Sequence, residues 1–62
     1  MRNYYVVWAY NRKGKIEQIG DFYDTREEAE SYCSYVKSLY YRTRDLLYKP
    51  LDENFWVTEE ID

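Results

Sequence analysis

Near the start of the chain, Tyr4-Tyr5-Val6-Val7-Trp8-Ala9-Tyr10 runs without a single charged or amide side chain and is rich in strand-forming residues. A half-exposed strand alternates apolar with polar positions, whereas a run without alternation belongs to a strand covered on both faces. This segment is therefore expected to be the central strand of a sheet. The whole chain has only 62 residues, and a domain of that size buries about 60% of its unfolded surface, enough for one core and no more. One domain, spanning 1–62, is expected.

Small scaffolds usually need a disulfide, a metal, unusually dense packing or a second copy of themselves. Cys33 is the only cysteine and histidine is absent, which rules out an intramolecular disulfide and a zinc-type cluster of soft ligands. Packing has to stabilise the domain instead. Nine Tyr, two Trp and two Phe supply it, since each aromatic side chain can bury roughly 150–250 Å².

After the first strand, Asn11-Arg12-Lys13-Gly14 predicts a type I turn with Gly14 in the left-handed position. A second strand over Lys15 to Tyr23 places Ile16 and Phe22 on one parity and Ile19 on the other, a conflict that a bulge at Gly20 would resolve. Asp24-Thr25-Arg26-Glu27-Glu28 opens a helix at Asp24 or Thr25, with Thr25 and Glu28 as a capping box. Ala29, Cys33, Val36, Tyr40, Thr43 and Leu47 then recur at steps of four and three, widened by Tyr32 and Leu39, so one helical face is buried. A helix reaching Leu47 would be roughly 35 Å long and overhang such short strands, and an end or kink near Tyr41 to Arg44 is expected. Leu51-Asp52-Glu53-Asn54 reads as a loop, and Phe55-Trp56-Val57-Thr58 as a last strand.

The fold class that follows is α+β: a two-layer ββαβ domain with a three-stranded antiparallel sheet in the order 2-1-3 and one helix on one face. The uncovered face shows either Tyr4, Val6, Trp8 and Tyr10 or Tyr5, Val7 and Ala9. Close helix-on-sheet packing suits small and β-branched residues, so the second set is expected under the helix. The first set then forms an exposed apolar patch, the mark of an interaction surface. Tyr4, Trp8 and Tyr10, with Trp56 from the last strand, or Phe55 if that residue shares the face, and Arg12 and Lys13 at the hairpin tip, are the candidate contact residues. Truncating Trp8 to Ala is expected to weaken association by roughly 2 kcal/mol or more, the scale of an interface hot spot, and to lower monomer stability much less.

Without histidine there is no Ser-His-Asp or Cys-His arrangement, and Cys33 lies on the buried helical stripe, where a cysteine acts as a small hydrophobe. Gly14 and Gly20 are isolated, so no phosphate-cradling loop is present. Asp21 and Asp24 near Glu17 lack calcium-loop spacing. The chain is expected not to be an enzyme and to need no cofactor or metal.

The formal charge of −3 is unevenly arranged, with residues 1–16 and 32–50 net basic and 17–31 and 51–62 net acidic. Solvated faces and cross-strand pairing account for such blocks. Tyr4, Trp8 and Tyr10 with Arg12, Lys13 and Lys15 could stack bases and meet phosphates, but an acidic pI near 4.9 and the lack of an RNP-type motif argue against nucleic-acid binding. No apolar run approaches the roughly 20 residues of a membrane span, and Met1-Arg2-Asn3 lacks the apolar stretch of a signal peptide. A cytoplasmic location is expected.

The stretch Phe22-Tyr23-Asp24-Thr25-Arg26-Glu27-Glu28-Ala29-Glu30 resembles the opening of the helix in arm-type DNA-binding domains of phage integrases. Those domains place three strands before the helix and are basic, so their function is not carried over. Taken whole, a tiny domain with a hairpin, one helix, abundant Tyr and an acidic balance looks like the small proteins that bacteriophages make against host enzymes and defence systems, anti-CRISPR proteins and nuclease inhibitors among them. That resemblance implies a stoichiometric inhibitor occupying a surface of a larger host protein. Other readings are a homo-oligomeric assembly protein, an oligomeric sponge for a nucleotide signal, and a mimic of DNA phosphates built on the acids of 17–31.

Overall fold

The computed structural model describes residues 2–62. Strand β1 (Asn3–Tyr10) leads through a hairpin into β2 (Ile16–Tyr23), followed by helix α1 (Arg26–Leu39), a 3-10 turn (Arg44–Leu46), a one-turn helix α2 (Leu51–Asn54) and strand β3 (Phe55–Ile61). The strands form one antiparallel sheet in the order β2-β1-β3, with the long apolar run at its centre as expected. The hairpin closes as its residues predict: Gly14 has φ +80° and donates to the Asn11 carbonyl at 3.0 Å. Asn11 Oδ1 accepts from the N–H groups of Lys13 and Lys15 at 2.9 and 3.0 Å.

Thr25 caps α1, its hydroxyl accepting from Glu28 N at 3.2 Å and donating to Glu28 Oε1 at 3.0 Å. Ala29, Cys33 and Val36 are the buried residues of the helix. They meet Val7, Ala9 and Phe55, with Tyr5, Ile19, Tyr23 and Val57 packed around them. The odd-numbered residues of β1 therefore lie under the helix, as the size argument requires.

Three local expectations are corrected. Helix α1 ends at Leu39, before the expected Tyr41 to Arg44, with Tyr40 as its cap at φ −101°. Leu47 still reaches the core, but from the irregular segment that follows the helix. The segment read as a loop is the one-turn helix α2, in which the Pro50 carbonyl accepts from Glu53 N and Asn54 N, both at 2.9 Å.

The third correction concerns β2. Val7 pairs with Ile19 and Tyr5 with Tyr23, so Gly20, Asp21 and Phe22 stand opposite Val6 alone. The bulge is present, with Gly20 at φ +72°. Its two extra residues preserve parity, however, so it does not bring Ile16, Ile19 and Phe22 onto one face. Ile19 packs on the core, Phe22 meets Tyr4 edge-to-face, and Ile16 pairs with Tyr10. Ile19 and Tyr23 thus serve the core face of β2, while Ile16 and Phe22 lie exposed on the other.

Candidate interaction surface

The face of the sheet opposite α1 carries the even-numbered side chains of β1: Tyr4, Val6, Trp8 and Tyr10. Their cross-strand partners on β3 are Glu60, Thr58 and Trp56, opposite Tyr4, Val6 and Trp8 in turn. On the other side of β1, Gln18 stands opposite Trp8 and Ile16 opposite Tyr10.

Aromatic side chains gather at the hairpin end of this face. The Tyr10 ring lies 5.1 Å from that of Trp56 and 5.7 Å from that of Tyr48. Tyr48 arrives from the segment before α2 and lies across Gly14, where an added Cβ would stand 2.6 Å from its Cζ. Gly14 thus serves two ends, the left-handed turn and the close approach of a ring. Lys49 Nζ sits 5.9 Å from the Tyr10 ring centre and 5.7 Å from that of Tyr48, within cation–π range. At the other end Tyr4 and Phe22 make an edge-to-face pair at 5.4 Å. Beside them is a hollow of about 350 Å³ lined by Arg2, Tyr4, Phe22, Asp24 and Asp62, across which Arg2 pairs with Asp24 at 2.7 Å.

Between the two ends, the indole N–H of Trp8 donates to Thr58 Oγ1 at 2.7 Å, and that hydroxyl donates to Glu60 Oε2 at 2.8 Å. Val6 is only 2% exposed although no helix covers it. Its cover comes from the sheet's own side chains, with the indole drawn towards Thr58 directly opposite Val6. The surface is best described as an aromatic layer with exposed margins: Phe22 is 65% and Ile16 55% exposed, while Tyr4, Trp8, Tyr10 and Trp56 are half-buried.

Of the residues expected to form the site, Trp8, Tyr10 and Trp56 come together, and Tyr4 shares their face at the far end. Lys13 is exposed at the hairpin tip. Arg12, also exposed, lines a cleft of about 450 Å³ that runs from Tyr10 and Tyr48 of the aromatic cluster to Glu17, Ile19, Tyr40 and Leu47 on the helix side. Phe22, Ile16, Tyr48 and Lys49 escaped the sequence reading of the site. Phe22 and Ile16 share even numbering with Trp8, a signal that was there to use. Tyr48 and Lys49 reach the surface only through tertiary folding.

Burial pushes the Cys33 thiol above its ordinary range, Glu30 adding to the shift and Lys37 opposing it. Among the described residues no group of three His, Cys, Asp or Glu side chains is placed to hold a metal ion, and no helix is long and apolar enough to cross a membrane. Compared with known proteins, the chain matches no family model, no curated protein and no solved structure.

Proposed function

We propose that this protein is a non-catalytic binding module, a small stoichiometric inhibitor that engages a larger protein through the open aromatic face of its sheet. The observation that carries the reading is the pair of exposed apolar margins, Phe22 and Ile16, flanking a layer of half-buried Tyr and Trp side chains that no other element covers. Tyr and Trp add large contact area at small entropic cost and are favoured at the centres of protein interfaces. Glu60 is the one acid among the β1 and β3 residues of this face, so docking buries little uncompensated charge. The likeness to small phage inhibitors supports the same reading.

A second copy of the chain is the competing occupant, favoured by the size of the core: among the described residues seven apolar ones are buried, few for a domain without a disulfide. Affinity purification from the native host, followed by mass spectrometry, identifies the target. Phe22→Ser and Ile16→Ser then test the surface, with an expected loss of about 1 kcal/mol of binding for each of these margin contacts and a stability change of the free domain no larger than the Tyr4–Phe22 ring pair, about 0.5–1.5 kcal/mol. Target binding that survives both substitutions overturns the assignment of the surface. A light-scattering mass of two or more copies that falls to one in the same variants assigns the face to self-association instead.

A further inference from the structure

The order β2-β1-β3 leaves two strand edges, and they differ. On β2 the Gly20 bulge breaks the edge, whereas β3 pairs with β1 in unbroken register from Asn3↔Ile61 to Ala9↔Phe55 and contains neither Gly nor Pro. The direction of its backbone groups follows from two contacts beyond the ends of that register. Asp62 N donates to the Arg2 carbonyl at 2.9 Å, and at the other end Asn54 Nδ2 donates to the Tyr10 carbonyl at 3.2 Å. Hydrogen-bonded pairs alternate in an antiparallel ladder. Trp56, Thr58 and Glu60 therefore turn their backbone groups to β1, and Val57, Glu59 and Ile61 turn theirs outward. Among the described residues no strand pairs with that outer edge.

Charge selects the occupant. From residue 51 to the last residue the chain carries Asp52, Glu53, Glu59, Glu60 and Asp62 and no base. Glu59 accepts from Asn3 Nδ2 at 2.8 Å and from the Tyr5 hydroxyl at 3.3 Å, and Glu60 from Thr58. These neutral donors orient the carboxylates without neutralising them, and neither acid joins an ion pair among the described residues. A second copy pairing through β3 would set two such acidic segments side by side. Like charges across a strand pair are unfavourable and opposite charges favourable.

We infer that the β3 edge accepts a fourth strand from a partner protein, an extended segment with Lys or Arg at alternate positions, held by the outward backbone groups of Val57, Glu59 and Ile61, with those bases on the face of the sheet that carries Glu59. This strand addition is independent of the aromatic-face reading, because its main-chain bonds lie in the plane of the sheet.

The test is a titration of the full-length chain with a synthetic peptide of alternating Lys and Thr, read by amide hydrogen exchange. Exchange at Val57, Glu59 and Ile61 slows by about tenfold or more at saturation, while Thr58 and Glu60, already bonded to β1, change little. Glu59→Pro removes an outward N–H without removing a ladder bond and lowers peptide affinity by about tenfold or more. Glu59→Gln lowers it several-fold and weakens its salt dependence. Ile61→Pro, at an exposed strand end, makes the same backbone test should Glu59→Pro fail to fold. Phe22→Ser leaves peptide binding intact, so the two surfaces fail separately. Equal binding of an alternating Glu and Thr peptide, unchanged binding by both proline variants, or no protection at Val57, Glu59 and Ile61 overturns the inference. So does protection of the same amides by raised protein concentration alone, which assigns the edge to a second copy.

Discussion

Trp8 and Thr58 are joined across the central strand pair by a hydrogen bond of 2.7 Å from indole N–H to hydroxyl. Because Trp8 stands opposite Trp56 and Thr58 opposite Val6, the bond is diagonal and draws the indole over the middle of the open face. Trp8 therefore shields Val6 as well as lining the candidate surface, so its truncation should cost the monomer stability as well as association. Trp8→Ala should cost about 3 kcal/mol, the low end of the range for large aromatics because the ring is half-buried. Trp8→Phe, which keeps a ring and loses the N–H, should cost about 1–2 kcal/mol. Urea unfolding measures both, and an unmoved midpoint in Trp8→Ala would show that the ring protects nothing beneath it.

Val36 lies on the buried face of α1, and three such residues hold that helix to the sheet. Val36→Asp places a carboxylate there without a partner, at a cost of several kcal/mol. The whole domain is expected to be stable by roughly 3–9 kcal/mol at 0.05–0.15 kcal/mol per residue. The two magnitudes are similar, so Val36→Asp should lose its cooperative thermal transition by circular dichroism. Ser34→Asp, on the exposed side of the same helix, should stay within about 0.5 kcal/mol of the parent. Similar melting of the two variants would place the buried face elsewhere.

Cys33 is buried against the sheet, and burial raises its thiol pKa. Labelling by a thiol reagent at neutral pH should be slow in the folded state and fast after denaturation. The sign of the linked pH effect follows from the raised pKa. A folded state that holds its proton more tightly than the unfolded chain keeps the associated stability below the ordinary thiol range, about 8.5, and loses it as the pH rises through the folded value. The stability difference between the parent and Cys33→Ala should therefore shrink in alkali. Rapid native labelling would show that the thiol is not sequestered.

What was legible in the sequence was local. The unbroken run of β1, the Asn11–Gly14 turn and the Thr25–Glu28 cap each reside in a few neighbouring residues whose chemistry specifies one backbone shape. The sheet order follows from them, since a single crossover helix returns the last strand beside the first. The end of α1 was not legible, because Tyr40 closes it without a left-handed glycine and the apolar period continues to Leu47, which packs on the core from outside the helix. A single turn such as α2 is too short to show any period. At the surface, parity grouped Tyr4, Trp8 and Tyr10 on one face, while the choice of Trp56 over Phe55 waits on the register of β3, and Tyr48 and Lys49 arrive from a segment with no pattern of its own.

Asn54 is the clearest case of a residue whose importance only the folded chain reveals. It sits at the end of a segment read as a loop, yet it is 0% exposed. Its Nδ2 donates to the Tyr10 carbonyl at 3.2 Å, and its Oδ1 accepts from Lys49 N at 2.9 Å. The β1–β3 register ends at Ala9↔Phe55, so the side-chain amide takes the place of the next backbone rung while the Asn54 backbone turns through α2. Asn54→Ala leaves a part-buried N–H and a part-buried carbonyl without these partners and should cost about 1–3 kcal/mol. Asn54→Asp keeps the shape and the acceptor for Lys49 N but sets a carboxylate oxygen against the Tyr10 carbonyl. Burial and that contact both favour the protonated acid, which can donate to the carbonyl in place of the amide. The stability of Asn54→Asp should therefore be closest to the parent near about pH 4, where a carboxyl begins to hold its proton, and fall away as the pH rises to neutrality. Urea midpoints of parent and variant across that interval give the comparison. Curves that stay parallel at every pH would mean that the Asn54 amide is not donating to Tyr10.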